Sequence, residues 1–365
     1  MRTAFSVTAL GCVFGVEIDE SLPAEARSAI AAQWAHLHVE GAEPVERYRL
    51  ALRSATPPAT LEERSVFATS AEAAADELAG ALTIAGISQL TGRALMFHAA
   101  GLAYDDGGVV ALIGPSGRGK TTACVHAGRV FGYVTDETVA VRPDLEVVPF
   151  AKPLSVGSRP GTKVLYAPSA LGMRSAPDHL VLAALVLLER DASVDSPWIE
   201  PVRAIDAIAD LVAQTSSLDK LPRPLQTLLE TIDATGGVRR MRYADAQDLE
   251  ALILEVRNVR AEPQSWSAPA VPAVQPVIAA GSIARAEHQD AIVVDDQLVV
   301  LGGRRLHILD GIGPAVWWSA DGVSEHDLQG RVMKEFGPTP AGVDASIAIA
   351  EAVDQLIEAG LLRRG

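Results

Sequence analysis

The chain has 365 residues, of which 48 % are hydrophobic and 21 % charged, and a formal net charge of −15. That length is more than one small core and suggests two or three domains, while the composition excludes wholesale disorder and fibrous repeats. The surplus of acids argues against a protein that coats nucleic acid, since neutralising phosphates takes a basic face.

The first residues need a check for targeting. Residues 4–16 are mostly apolar after Arg2, but no small-residue cleavage site precedes Glu17, Asp19 and Glu20, so a secretory signal is not expected. No other run approaches the ~18 to 20 apolar residues of a membrane span. Cys12 and Cys124 form neither a CxxC pair nor a disulfide framework, which fits a reducing compartment and no structural zinc. A soluble cytoplasmic protein is expected.

Residues 1–90 read as an N-terminal α/β region. Strand-like runs cover 5–18, 47–53 and 64–68, and a helix is predicted after Pro23, with Ala26, Ile30, Trp34 and Leu37 at helical spacing. Trp34, His36 and His38 read as packing and surface residues rather than ligands. Residues 91–260 continue as a mixed α/β domain, with β-type runs at 95–102, 109–113, 133–135 and 180–188. Helical periodicity follows at 202–214, 225–231 and 246–256. Residues 261–281 carry Pro263, Pro269, Pro272 and Pro276 with almost no charge, and are predicted to be a linker, extended at about 3.1 Å per residue. Residues 282–365 open with short β-type runs at 291–294 and 298–301 around a turn at Asp295, Asp296 and Gln297. After a run at 304–309 the pattern turns helical, with Ser324 and Asp327 able to cap a helix over Leu328, Val332 and Met333. A last helix is expected after Pro340, ending near Gly360.

The strongest chemical signal is Gly114-Pro115-Ser116-Gly117-Arg118-Gly119-Lys120-Thr121, which matches G-x-x-x-x-G-K-[ST] at every fixed position. Its glycines let main-chain N–H groups turn inward around phosphate oxygens, Lys120 reaches the β and γ phosphates, and the Thr121 hydroxyl helps to hold magnesium. A buried strand before the loop and a helix over 122–129 after it complete the expected setting, with the helix N-terminus favouring an anion. Gly114, Ser116, Gly117, Arg118, Gly119, Lys120, Thr121 and Thr122 are therefore the expected ligands of ATP or another nucleoside triphosphate. Asp136 and Glu137 end a short strand sixteen residues beyond Lys120, where an acidic pair can hold magnesium and one member can accept a hydroxyl proton.

The order His98, loop 114–122, then Thr135, Asp136, Glu137 resembles the HPr kinase and phosphoenolpyruvate carboxykinase superfamily, in which an acidic pair follows the phosphate loop by about one helix and one strand. The resemblance implies that Asp136 is the catalytic acid/base, that Thr121, Asp136 and Glu137 bind the metal, and that His98 approaches the γ phosphate. Glu137 stands where the family has a second aspartate. The run Lys152, Pro153, Leu154, Ser155 is similar to one in HPr-kinase-related proteins of peptide gene clusters, which implies that Lys152 stabilises phosphoryl charge. The glycine-rich signature of true HPr kinases is absent, so HPr itself is not the expected substrate.

Residues 282–365 resemble PqqD, a winged-helix-like module that recognises leader peptides of ribosomally made, modified peptides. The resemblance rests on the order of Leu306 to Asp310, Gly313, Ala315 to Trp318, Asp321 and Gly322 closing the first helix, Phe336, Gly337, and the ending Leu356 to Leu362. It implies a peptide added as a strand in a groove between residues 304–309 and helix 346–357, touched by Arg305, Leu306, His307, Ile308, Ile349 and Val353. Asp344, Glu351, Asp354 and Glu358 on the last helix disfavour DNA.

The expectation is thus an α/β HPr kinase-like phosphate-loop domain, with a small N-terminal α/β region and a C-terminal winged-helix-like PqqD domain. Its leader-binding module would present a precursor peptide for phosphorylation of a core hydroxyl with ATP and magnesium. Two rivals stand beside it. One is a nucleotide-binding adaptor that presents the peptide to another modifying enzyme; the other is a small-molecule kinase. Neither nucleic acid nor membrane is an expected partner, and the family resemblance permits a homo-oligomer.

Overall fold

The protein is described from a computed structural model, covering residues 3–53, 63–159, 162–261, 265–270, 278–336 and 344–365. It is a mixed α/β chain organised as two compact units. The first contains Met1–Arg203, Asp210–Ser217 and Ala234–Glu262; the second contains Ala204–Ala209, Leu218–Asp233 and Pro263–Gly365. The change of unit between Glu262 and Pro263 lies beside the expected boundary at 260, whereas none falls at 90, and the second unit also takes Ala204–Ala209 and Leu218–Asp233. No helix among the described residues is long and apolar enough to cross a membrane.

The first unit begins with a four-stranded sheet in the order Thr3–Ala9, Cys12–Ile18, Glu46–Leu52, Glu63–Ala68. The single run expected over 5–18 is a hairpin instead, because Leu10 and Gly11 both take positive φ (47° and 74°) in a two-residue turn between Ala9 and Cys12. Leu10 hides in the core. Gly86 of the helix Ala74–Leu90 permits that close approach, since a Cβ there would lie 2.9 Å from the Leu10 side chain. Trp34, Leu50, Leu78 and Leu82 share this core with Met96, Ala140, Val148 and Phe150, so the described part of residues 1–90 has no hydrophobic centre of its own.

The main sheet runs Arg174–Ser175, Gly132–Thr135, Leu95–Ala103, Gly108–Ile113, Val181–Arg190, Val238–Tyr243, Trp198–Val202. Gly108–Ile113 and Val238–Tyr243 lie parallel to Val181–Arg190 on its two sides. The first of these and Val181–Arg190 are the near-continuous apolar runs that a sheet covered on both faces demands. The helix predicted over 122–129 forms as Lys120–Ala127. The pattern at 246–256 resolves into a 3-10 turn, Ala246–Asp248, and the helix Leu249–Glu255.

In the second unit, Asp290–Val294, Gln297–Gly302 and Arg305–Leu309 form an antiparallel meander. Asp295 and Asp296, at φ 48° and 64°, make its first turn. The stretch expected to be a linker is partly structured: Trp266–Ser267 pairs with Asp290–Val294, and Trp266 Nε1 donates to Asp233 at 2.6 Å. Pro269 lies outside any helix or strand, whereas Pro263, Pro272 and Pro276 fall outside the described residues. A second sheet, Asp321–Ser324, Ser282–Arg285, Leu362–Arg364, was not anticipated. Asp321 and Gly322 open a strand there instead of closing the helix Gly313–Ser319. Ser324 does cap Glu325–Phe336: its Oγ accepts from the Asp327 N–H at 3.2 Å and donates to Asp327 Oδ2 at 2.7 Å. The last helix is Ala345–Glu358, followed by Gly360 at φ 74°; Gly337 and Pro340 lie outside the described residues.

Helix Pro224–Ala234 belongs largely to the second unit, and a carboxylate of that unit, distant from the helix in sequence, caps its start. Asp290 Oδ2 accepts from the Leu225 and Gln226 N–H groups at 2.9 and 3.1 Å, and Oδ1 accepts from Gln226 Nε2 at 2.9 Å. Orphan N–H groups at a helix start need such a partner. Asp290→Ala should therefore lower the unfolding free energy by about 2 kcal/mol, and Asp290→Asn by less, as measured by urea denaturation followed by tryptophan fluorescence.

Candidate functional site

The phosphate-loop segment leaves the strand Gly108–Ile113 at Gly114 and enters the helix Lys120–Ala127. Gly117 and Gly119 adopt φ of 83° and 93°, where a side chain is unfavourable. At Gly119 a Cβ would also lie 2.5 Å from the Tyr243 hydroxyl, which donates to the Arg118 carbonyl at 3.2 Å. The Lys120 ammonium crosses the loop to the carbonyls of Gly114 and Pro115, at 2.6 and 3.1 Å. Burial pushes its pKa below the usual lysine value, against the opposing pull of Glu137 and Asp136.

Position is set by the strand Leu95–Ala103, which changes partners halfway. Its second half pairs with Gly108–Ile113 and Gly132–Thr135; its first half pairs with Thr138–Val141 and Thr215–Ser216. The change falls at His98 and Ala99, whose N–H groups reach the Gln214 carbonyl at 2.7 Å and the Glu137 carbonyl at 3.2 Å. The Thr135 hydroxyl accepts from the Glu137 and Thr138 N–H groups at 3.2 and 3.3 Å and so bends the chain into a tight turn. Asp136 and Glu137 stand on that turn, beside the point where the loop departs.

Six of the residues singled out from the sequence meet here. Thr121 Oγ1 donates to Asp136 Oδ2 at 2.8 Å, and Lys152 Nζ lies 2.9 Å from Asp136 Oδ1 and 3.6 Å from Glu137 Oε2. His98 Nδ1 is 3.8 Å from Glu137 Oε1, and Lys120 is close enough for its charge to act on His98. Burial, then Lys120, lower the His98 pKa, while Glu137 opposes them. Burial also works against the Lys152 charge, but Asp136 and Glu137 outweigh it and hold that pKa above the usual value. Ser116 and Arg118 are exposed at the loop tip, and Thr122 is exposed in the first turn of the helix.

Sequence reasoning missed the supports. The buried Tyr133 hydroxyl donates to the Lys152 carbonyl at 3.0 Å and lies 3.3 Å from Asp136 Oδ1; burial and the Asp136 charge push its pKa far up. His36 Nε2 sits 2.6 Å from the Ala151 carbonyl. Only the tyrosine three residues before an acidic pair gave any hint.

Among the described residues no cluster of three or more His, Cys, Asp or Glu could hold a metal by itself. Thr121 Oγ1 and Asp136 Oδ2 nevertheless suit magnesium. Their separation of 2.8 Å is close to the edge of about 3.0 Å between neighbouring ligands at ~2.1 Å in an octahedron, with phosphate oxygens and water to complete the shell.

A cleft of about 520 Å³ adjoins the loop at Gly114, Pro115 and Arg118 and continues past Glu189, Asp210 and Arg242. Both signs of charge line it, and none of the described residues along it is aromatic.

In the second unit, Arg305–Leu309 is the end strand of its sheet, with Arg305 exposed, Leu306 and His307 half-buried, and Ile308 39 % exposed. Burial, then Arg305, lower the His307 pKa. Ile349 and Val353 do not face a groove: they are 3 % and 0 % exposed and pack with Trp317, Leu328 and Val332. The helix has its apolar stripe turned inward, so the expected peptide contacts at these two positions are core residues.

The chain matches no protein-family model, and no curated protein matches it.

The Lys152–Asp136 pair is enclosed, with side chains 8 % and 4 % exposed. Lys152→Met should lower stability by about 3 to 5 kcal/mol, because it leaves a buried carboxylate without its partner. Asp136→Asn together with Lys152→Met should cost clearly less than the sum of the two single changes in urea denaturation, the positive coupling expected of a direct pair.

Proposed function

We propose that the chain is an ATP- and magnesium-dependent kinase of the HPr kinase-like type, fused to a PqqD-like module that captures the leader of a precursor peptide. One observation carries the reading: Lys120, Thr121, Asp136, Glu137, Lys152 and His98 converge where the strand Leu95–Ala103 changes partners, beside a glycine loop with the required positive φ values. Such a set supplies what phosphoryl transfer needs, namely positioning and charge stabilisation.

In this reading the main-chain amides of residues 114–121 and Lys120 hold the polyphosphate. A magnesium ion held by Thr121, Asp136 and Glu137 would neutralise charge on the β and γ phosphates. Asp136 takes the proton of a peptide hydroxyl as its oxygen bonds to the γ phosphorus, and the bond to the β–γ bridging oxygen breaks to release ADP. The charged cleft suits a polar peptide segment better than a stacked base. The end strand Arg305–Leu309 offers main-chain groups to the leader. Capture there raises the local concentration of the core peptide, so the cleft can bind it weakly.

A second reading, an adaptor that binds nucleotide without transfer, is favoured by a different observation. Both Asp136 oxygens are already engaged, by the Thr121 hydroxyl and the Lys152 ammonium, which leaves neither free to take a hydroxyl proton.

The full chain incubated with ATP, magnesium and synthetic peptides made from short open reading frames neighbouring its gene, followed by mass spectrometry, separates the two. A gain of one phosphate is expected. Asp136→Asn should abolish that gain while leader affinity stays within about twofold; unmodified peptide despite tight leader binding would establish the adaptor.

A further inference from the structure

Phosphoryl-transfer sites commonly gather positive charge with two divalent ions bridged by carboxylates about 3.5 to 4 Å apart. Here the two sides of one carboxylate are already differentiated. Asp136 Oδ2 faces the Thr121 hydroxyl, whereas Oδ1 faces the Lys152 ammonium, which also reaches Glu137 Oε2 at 3.6 Å. The ammonium thus stands between the two acids, at the position a second bridging ion would need.

The surroundings keep it there. The Lys152 side chain is 8 % exposed, its N–H donates to the Phe150 carbonyl at 2.8 Å, and its carbonyl accepts from Tyr133. Phe150 is fully buried, and His36 contacts the neighbouring Ala151 carbonyl. The main-chain anchors fix the Lys152 Cα, and enclosure of the side chain together with its carboxylate contacts holds the ammonium beside the acids.

We propose that the Lys152 ammonium replaces the second metal ion, so that the site takes one divalent cation per nucleotide, at the Thr121, Asp136 and Glu137 site, with Lys152 as the built-in second charge. The proposal rests on the nucleotide-binding reading above. It assigns Lys152 to the acidic pair first, and to the phosphoryl group only through the charge that it adds there.

The test counts ions and needs no turnover. The full chain is saturated with a non-hydrolysable ATP analogue and titrated with Mn²⁺, and free Mn²⁺ is followed by electron paramagnetic resonance against a nucleotide-only control. One bound Mn²⁺ per chain is expected for the wild type and for Lys152→Arg. Two are expected for Lys152→Met, the second weaker than the first by tenfold or more. Two ions on the wild type overturn the proposal whatever the variants do, and so does a single ion on a folded Lys152→Met. Because losing half of a buried pair can unfold the chain, Lys152→Gln, which keeps a polar end, carries that arm if circular dichroism finds Lys152→Met unfolded. Binding of nucleotide analogue with two ions sinks this inference alone; no binding of the analogue at all sinks the nucleotide reading with it.

Discussion

An ammonium and a carboxylate shut away from water, Lys152 and Asp136, sit at the centre of the first unit's chemistry. Neither could be buried alone, since an isolated charge in a protein interior costs far more than a fold of this size can supply. Together they fix where three separate stretches must meet: the acidic turn after Gly132–Thr135, the segment running to Leu154, and the first turn of Lys120–Ala127 through Thr121. The rest of the candidate site is arranged around that meeting point.

The N-terminal region supports the same point. Gln33 and His36 reach the carbonyls of Leu165 and Ala151, Phe150 lies in the core formed around Trp34 and Leu78, and Asp76 adds to the field that keeps Lys152 charged. The described residues of 1–90, a region that offers no motif of its own, serve as a wall against which the lysine-bearing segment is pressed. A shared core also explains why a division at residue 90 corresponds to no break in packing.

What could be read from the sequence divides by physical range. The loop and its flanking strand and helix were legible because every fixed position answers a local demand, such as positive φ at Gly117 and Gly119. Asp136, Glu137, His98 and Lys152 were legible only through spacing and resemblance, and their convergence depends on a partner change within Leu95–Ala103 that no local pattern encodes. Tyr133 and Tyr243 were missed for the same reason, as their hydroxyls reach main-chain carbonyls 19 and 125 residues away in the chain, contacts that only the folded sheet creates. The hairpin at Leu10 was hidden because a leucine at positive φ breaks the usual turn chemistry, and burial of its side chain is what makes it tolerable. In the second unit the extent of the last helix was read correctly, but which stripe faces inward was not: Ile349 and Val353 had to fill the space beside Trp317.

The short strand Trp266–Ser267 has a practical consequence for anyone wishing to excise the C-terminal module. It caps one flank of the meander and leaves Arg305–Leu309 as the other. A fragment begun at Ser282 would lose that cap and present raw backbone on two sides, which invites fibre-like stacking of copies. Starting upstream of Trp266 would keep stacking one-sided, so that added chains end in pairs and not in filaments.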